Sequence, residues 1–176
     1  IYMDLGISGK TALVSASSAG LGFSSALALA EAGCKTVISG RNEERLMLAA
    51  SKIPNSIPIT ADVSTVKGSQ ALVQDAKSQL GTNIDILITN AGGPPTGTFA
   101  STDVDQYLTA IELNLMSVVA MCKETVPDMQ EKKWGRILAI TSISVRQPIP
   151  NIMLSNTARA GVTGFLKTMA LETASD

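Results

Sequence analysis

The stretch Thr11 to Gly22, TALVSASSAGLG, decides how this chain is read. An apolar run, Ala12 to Val14, gives way to small residues, and Gly20 and Gly22 stand just before an Ala/Leu-rich helical pattern. Strand, tight turn and helix start follow from that order. Small side chains let another molecule approach the backbone closely. The first free N–H groups of the next helix, with the positive end of its dipole, would face an anion. The pyrophosphate of a dinucleotide fits that description. Glycines also serve such turns for purely steric reasons, so the stretch alone leaves both readings open.

The rest of the chain repeats the unit. Residues 11–16 read as the first strand and Gly20 to Ala32 as the first helix, with Leu21, Ala26, Leu27, Leu29 and Ala30 as its apolar stripe and Gly33 as its stop. Lys35 to Gly40 is a second strand, and Glu43 to Ile53 a helix that Pro54 ends. Ile57 to Ala61 is a third strand. Ser64 to Leu80 is a helix capped by Ser64 or Thr65 and closed by Gly81. Ile84 to Thr89 is a fourth strand, followed by a Gly/Pro-rich loop over Asn90 to Gly97. Asp103 to Glu131 is a long helical pattern, read as two helices with Thr102 as cap and Pro127 weakening the last turns. Gly135 to Thr141 is a fifth strand, and a helix runs from about Ile152 to Thr173. Nearly all-apolar strands alternating with helices predict a Rossmann-like, doubly wound parallel α/β sheet in a single domain over 1–176. A fifth strand without a neighbour would be an apolar edge, so a sixth strand is expected beyond Asp176. Ile1-Tyr2 reads as a remnant ahead of a natural start at Met3.

Composition narrows the chemistry. The chain has 176 residues, a net charge of −1 and 45% hydrophobic residues, enough for a substantial core. Near-neutral charge without a basic cluster argues against a nucleic-acid partner. No apolar run approaches the ~20 residues of a membrane span, and no signal peptide is visible. Cys34 and Cys122 are far apart in apolar surroundings, which predicts buried free thiols and a reducing cytoplasm. There is no histidine. That excludes Ser-His-Asp hydrolysis, Cys-His proteolysis and a His-ligated metal, and no metal site is expected.

Several stations in order resemble those of the short-chain dehydrogenase/reductase family, across nearly the whole chain. Ser15-Ala16-x-x-x-Gly20-x-Gly22 is similar to that family's T-G-x-x-x-G-x-G turn, with Ser for Thr and Ala for the first Gly. Arg41, Asp62-Val63, Asn90-Ala91-Gly92, Asn114 and Ser142 follow at the family's places. The resemblance implies a Rossmann sheet that binds NAD or NADP and a hydride transfer to or from a carbonyl or alcohol. It implies cofactor contacts at Ser15, Ser17, Ser18, Gly20, Leu21, Gly22, Arg41, Asp62, Val63, Asn90, Ala91, Gly92 and Arg159. The S-A-S-S-x-G-L-G turn, the G-G-P-P loop and the S-N-x-x-R segment also resemble a divergent branch of the family labelled 3-oxoacyl-carrier-protein reductase-like. A homodimer or homotetramer is implied through the long helix and the helix carrying Ser155.

Arg41 favours NADP ahead of NAD. Gly40 stands where NAD-preferring relatives carry Asp, and a guanidinium can pair with a 2′-phosphate. Many NADP-dependent relatives have a basic residue just before the second glycine of the turn, where this chain has Ala19; Ser18 is a weaker phosphate contact. The plainer alternative is that Arg41 opens a helix on a solvated face. Asp62 equally suits the start of a helix, and Ser142 a turn at a strand end.

The catalytic stations depart from the family's Ser, Tyr, Lys and Asn. Asn114 and Ser142 match. The Tyr position is Ser155 and the Lys position is Arg159, still i, i+4 on one helix face. The only tyrosines, Tyr2 and Tyr107, do not obviously substitute. An aliphatic hydroxyl is far less acidic than a phenol of pKa about 10, and Arg cannot release a proton as Lys can. Two readings follow: an NADP-dependent oxidoreductase with an atypical site, and a catalytically silent NADP-binding module. A Ser-nucleophile hydrolase is the weakest, since no base and no G-x-S-x-G elbow is present.

Overall fold

A computed structural model describes residues 4–175. The readings made of Ile1, Tyr2, Met3 and Asp176 lie outside the described residues. Five strands form one parallel sheet: β1 (Thr11–Val14), β2 (Lys35–Gly40), β3 (Ile57–Thr60), β4 (Ile86–Thr89) and β5 (Arg136–Ala139), in the order β3-β2-β1-β4-β5. The helices are α1 (Gly20–Glu31), α2 (Glu43–Ala50), α3 (Val66–Leu80), α4 (Val104–Ile111), α5 (Ser117–Glu131) and α6 (Met153–Thr173).

Strand alternation divides the core between the two faces of the sheet. Leu13, Val37 and Leu87 point to one face, where Leu72 and Val73 of α3, Met121 of α5 and Val162 of α6 cover them. Ala12, Val14, Ile38, Ile86 and Ile88 point to the other, under Ala26 of α1 and Leu46 and Ala49 of α2. Both faces are covered, which is why the strands read as unbroken apolar runs. The sequence order of the strands reverses between β1 and β4, so a crevice opens at their carboxyl ends.

The elements match the expected ones in order and type, with four local differences. Leu21 does not join the buried stripe of α1 and is 69% exposed; the face toward the sheet carries Gly22 and Ala26, with Phe23, Leu27, Leu29 and Ala30 packed partly buried beside them. Helix α2 ends at Ala50 and turns off before Ile53. The cap of α4 is Asp103, whose N–H donates to Gln106 Oε1 at 2.8 Å, while Thr102 donates to Thr98 O at 2.7 Å instead. The two expected helices, α4 and α5, are joined without a loop by a π-helical segment, Glu112–Met116, and α5 continues through Pro127.

Both cysteines are buried and free. Burial pushes the Cys122 thiol up to about 12 and raises that of Cys34. Since the thiolate is the reactive form, iodoacetamide at about pH 8 is expected to leave both unlabelled in the folded protein and to label both after denaturation. Intact mass reads the outcome, and rapid labelling of the folded form would refute it.

Candidate functional site

The β1–α1 turn is built around a left-handed backbone at two points, Ala16 (φ 46°) and Gly20 (φ 59°). Glycine accepts that conformation freely; alanine does so at a cost of roughly 1 kcal/mol. Ala16 is held there from both sides: its N–H donates to Ser39 Oγ at 3.1 Å, and its carbonyl accepts from Asn90 Nδ2 at 2.9 Å. The neighbouring serines are spent on the turn itself. Ser15 Oγ donates to Asn90 O at 2.7 Å and accepts from Asn90 N at 2.8 Å. Ser17 Oγ donates to Val14 O at 2.7 Å and accepts from Ser39 N at 3.0 Å. Both serines are fully buried. A Cβ on Gly22 would sit 2.7 Å from Ala16 O and 2.8 Å from Asn90 Nδ2, so only glycine lets α1 start this close to the turn. The first backbone bond into α1 is Phe23 N–H to Ala19 O at 3.3 Å, and the helical amides before it have no partner within the helix.

A cavity of about 640 Å³ occupies that crevice. Ser18 and Gly20 of the turn, Arg41, Asp62, Val63, Asn90, Ala91 and Gly92 all line it. Ser15, Ser17, Leu21 and Gly22 do not reach its wall; the two serines and Gly22 shape the turn behind it, and Leu21 is solvent-exposed. Asp62 is held below the usual carboxylate range, chiefly because Ser64 N–H donates to its Oδ1 at 3.0 Å, with the Arg41 charge acting in the same direction against burial. Sequence reasoning missed Asn42, Arg45, Ser64 and Leu113 on this wall. Arg45 was legible: it stands i+4 from Arg41, and its N–H bonds the Asn42 cap at 2.8 Å.

The second cluster lies where α6 packs against the π-helical segment and the short 3-10 turn Ile143–Val145. The π-helical segment carries Asn114, 3% exposed. Its Nδ2 donates to Gly92 O at 2.9 Å, and its Oδ1 is buried with no hydrogen-bond partner. Gly161 lets α6 approach at this level; a Cβ there would meet Leu115 Cδ2 at 2.9 Å. Ser142 caps the 3-10 turn by accepting from Ser144 N–H at 3.1 Å, which leaves its own O–H to donate elsewhere. Ser155 is half-buried on α6. One turn on, Arg159 donates from a guanidinium nitrogen to Ile140 O at 2.8 Å, two residues before Ser142. Burial lowers the pKa of Arg159 from its ordinary value, though the group stays charged at neutral pH. Arg159 is thus tied to the end of β5 two residues from Ser142, Ser155 lies one turn earlier on α6, and Asn114 is linked to the Gly92 side of the cavity. Among the described residues, no three His, Cys, Asp or Glu side chains cluster as a metal site would, and no helix is long and apolar enough to cross a membrane.

The fold and the crevice define a nucleotide-binding α/β protein of the Rossmann type. Residues 10–176 match the family model described as short chain dehydrogenase. The chain belongs to the short-chain dehydrogenase/reductase family of oxidoreductases. It is 29% identical over 173 residues to the human dehydrogenase/reductase SDR family member 4, covering 96% of this chain and 62% of that one. Among solved structures, the L-sorbose reductase of Gluconobacter frateurii complexed with NADPH and L-sorbose superposes with a TM-score of 0.91 at 32% identity, covering 97% of this chain and 66% of that one. A 7α-hydroxysteroid dehydrogenase complexed with NADH and 7-oxo glycochenodeoxycholic acid superposes at 0.88 with 27% identity, covering 96% and 67%. The chain therefore spans about three-fifths of the length of its curated relative.

Proposed function

We propose that this chain is the single nucleotide-binding domain of an NADP-dependent oxidoreductase that transfers a hydride to or from a small carbonyl or alcohol, 3-oxoacyl compounds among the candidates. The observation that supports this reading best is the convergence of the glycine turn, Arg41, Asp62-Val63 and Asn90 to Gly92 on one cavity. The residues fit a dinucleotide. Gly22 permits the turn, the first amides of α1, without a helical partner, suit the pyrophosphate, and small side chains from Asn90 to Gly92 leave the β4 end open to a ribose. Ser15 and Ser17 would hold the turn, and Leu21 would contribute through its backbone N–H. Gly40 bears no carboxylate at the end of β2, and the acid on the cavity wall, Asp62, already accepts from Ser64 N–H. That favours NADP over NAD. The nicotinamide supplies or takes up the hydride when bound.

The remaining chemistry falls to the chain. Ser142, its hydroxyl proton uncommitted, donates to the substrate oxygen. Arg159, fixed to Ile140 O, holds ribose hydroxyls and keeps positive charge beside the site. Asn114 offers its unpartnered Oδ1 to a water or substrate donor. Ser155 holds the water that carries the proton a tyrosine would otherwise carry. We assign the protein to the cytoplasm, in keeping with its free buried thiols, and to a homodimer or homotetramer built on α4–α5 and α6.

A second reading has its own observation: neither Ser155 nor Arg159 supplies an acid of useful pKa, which suits an NADP-binding module without turnover. NADPH oxidation by the intact protein is to be followed against ketones and 3-oxoacyl thioesters, with the Ser155→Tyr/Arg159→Lys double variant alongside. Turnover by the unaltered protein is expected. Turnover by the double variant alone would replace the oxidoreductase reading with the binding-module one.

A further inference from the structure

The cofactor cavity does not end at the glycine turn. A second cavity of about 370 Å³ lies between α1 and α2, lined by Phe23, Leu48, Ala49 and Lys52. The residues common to both walls are Ser18, Ala19 and Arg45. At that junction Ala19 carries only a methyl group, and Gly40, on the first cavity's wall beside Ser18, has no side chain. Its polar members are a hydroxyl, Ser18, and a guanidinium, Arg45. Arg41 stands one helical turn before Arg45 on the first cavity's wall.

The charges around this junction are unbalanced. Among the described residues, the ion pairs are Lys77–Asp128 and Lys132–Asp85, so neither Arg41 nor Arg45 has a carboxylate within bonding range. The Arg41 charge acts on Asp62 only at longer range, and Asp62 is committed to Ser64 N–H. Glu43 and Glu44, also at the start of α2, line neither cavity. Two guanidiniums and a hydroxyl on one wall, whose acid Asp62 is already bonded to Ser64 N–H, match a phosphate monoester, which takes bidentate donation from arginine.

We propose that Arg45 is a specificity-determining residue for the cofactor: with Arg41 and Ser18 it seats the 2′-phosphate, and it supplies the second cation that Ala19 does not. The assignment rests on the NADP reading above. Arg41 approaches from the end of β2, and Arg45 from α2 across the space that Ala19 leaves empty. The Asn42 cap, which accepts from Arg45 N–H at 2.8 Å, fixes where that side chain leaves the helix.

Binding is measured with the intact protein, using NADPH fluorescence, NADH fluorescence, and competition by adenosine 2′,5′-bisphosphate and by 5′-AMP. Arg45→Ala is expected to weaken NADPH and the bisphosphate roughly 10- to 100-fold, the range for a lost charge-assisted contact, and to leave NADH and 5′-AMP unchanged. The salt dependence of bisphosphate binding should flatten. Adding Ala19→Arg to Arg45→Ala should restore NADPH binding, which a merely structural role for Arg45 would not allow. If Arg41→Ala weakens NADPH and Arg45→Ala does not, the assignment of Arg45 is overturned and the NADP reading stands. If the unaltered protein binds NADH as tightly as NADPH, the NADP reading itself fails.

Discussion

Valine at position 22 is expected to destabilise the protein by about 3 kcal/mol and to abolish nucleotide binding. The added Cβ would lie 2.7 Å from Ala16 O, 2.8 Å from Asn90 Nδ2 and 3.0 Å from Ser17 Cα. Two of these atoms are backbone, and the third is an amide already bonded to Ala16 O. None is the end of a flexible side chain, so relief requires the turn to open. Opening it breaks the Asn90–Ala16 bond and disturbs the paired bonds between Ser15 and Asn90. One methyl thus separates the end of β1 from the end of β4, the two strands that bound the crevice. Gly164→Ala is the control: it lies inside α6 with nothing within 4 Å of the added Cβ, and alanine there should stabilise by roughly 0.5–1 kcal/mol. Thermal denaturation with NADPH titration tests both. A Gly22→Val protein that melts with the unaltered one would overturn this account of the turn.

The largest effect away from the site is expected at Asp85. This carboxylate, 6% exposed, ties the opposite ends of the same strands together. Its Oδ2 accepts from Thr11 N at 3.0 Å and from Thr11 Oγ1 at 3.1 Å, and its Oδ1 pairs with Lys132 Nζ at 2.9 Å. Burial alone would raise its pKa; the Lys132 and Thr11 bonds outweigh burial and hold it below the ordinary value. Asp85→Ala strands the buried Thr11 amide and removes the partner of the part-exposed Lys132, at a cost of about 3 kcal/mol. For a chain of this size that is roughly 6–12 °C in Tm. The sign of the pH dependence follows from the depressed pKa. The stabilisation is fully present above the unfolded carboxylate pKa of about 3.9 and is lost as pH falls through it toward the lower folded value. The stability gap between the unaltered protein and Asp85→Asn should therefore be constant above about pH 5 and close in acid. A gap that persists unchanged at pH 2 would contradict the assignment.

Much of this protein was legible in the sequence, for physical reasons that operate locally. Short apolar runs such as Ile84 to Thr89, bounded by turn residues, read as strands covered on both faces. Gly33 and Gly81 end helices because they accept the left-handed conformation, at φ 87° and 71°. The glycine turn, Arg41, Asp62 and Asn90 to Gly92 announced a crevice because each lies at a strand's carboxyl end, and a parallel sheet brings all such ends to one edge. The departures at Ser155 and Arg159 were also plain, since they are residue identities at fixed spacing.

What only the tertiary structure decided concerns which groups are already spent. Ser15 and Ser17 look like phosphate contacts by type, but their hydroxyls bond partners 75 and 22 residues away, and no local pattern reports that. Ala16 looks unfit for a glycine's place, yet Ser39 and Asn90 hold it in the left-handed region. The π-helical segment that carries Asn114 has no periodicity of its own, because it is one extra residue absorbed within a continuous helix. The i+4 spacing marks Arg45 as a neighbour of Arg41, but only the fold sets Ser18 and Ala19 beside it. Sequence determines the order of the elements through local propensity and burial. Which side chains remain available to another molecule depends on pairings between distant strands, and only the folded chain makes those.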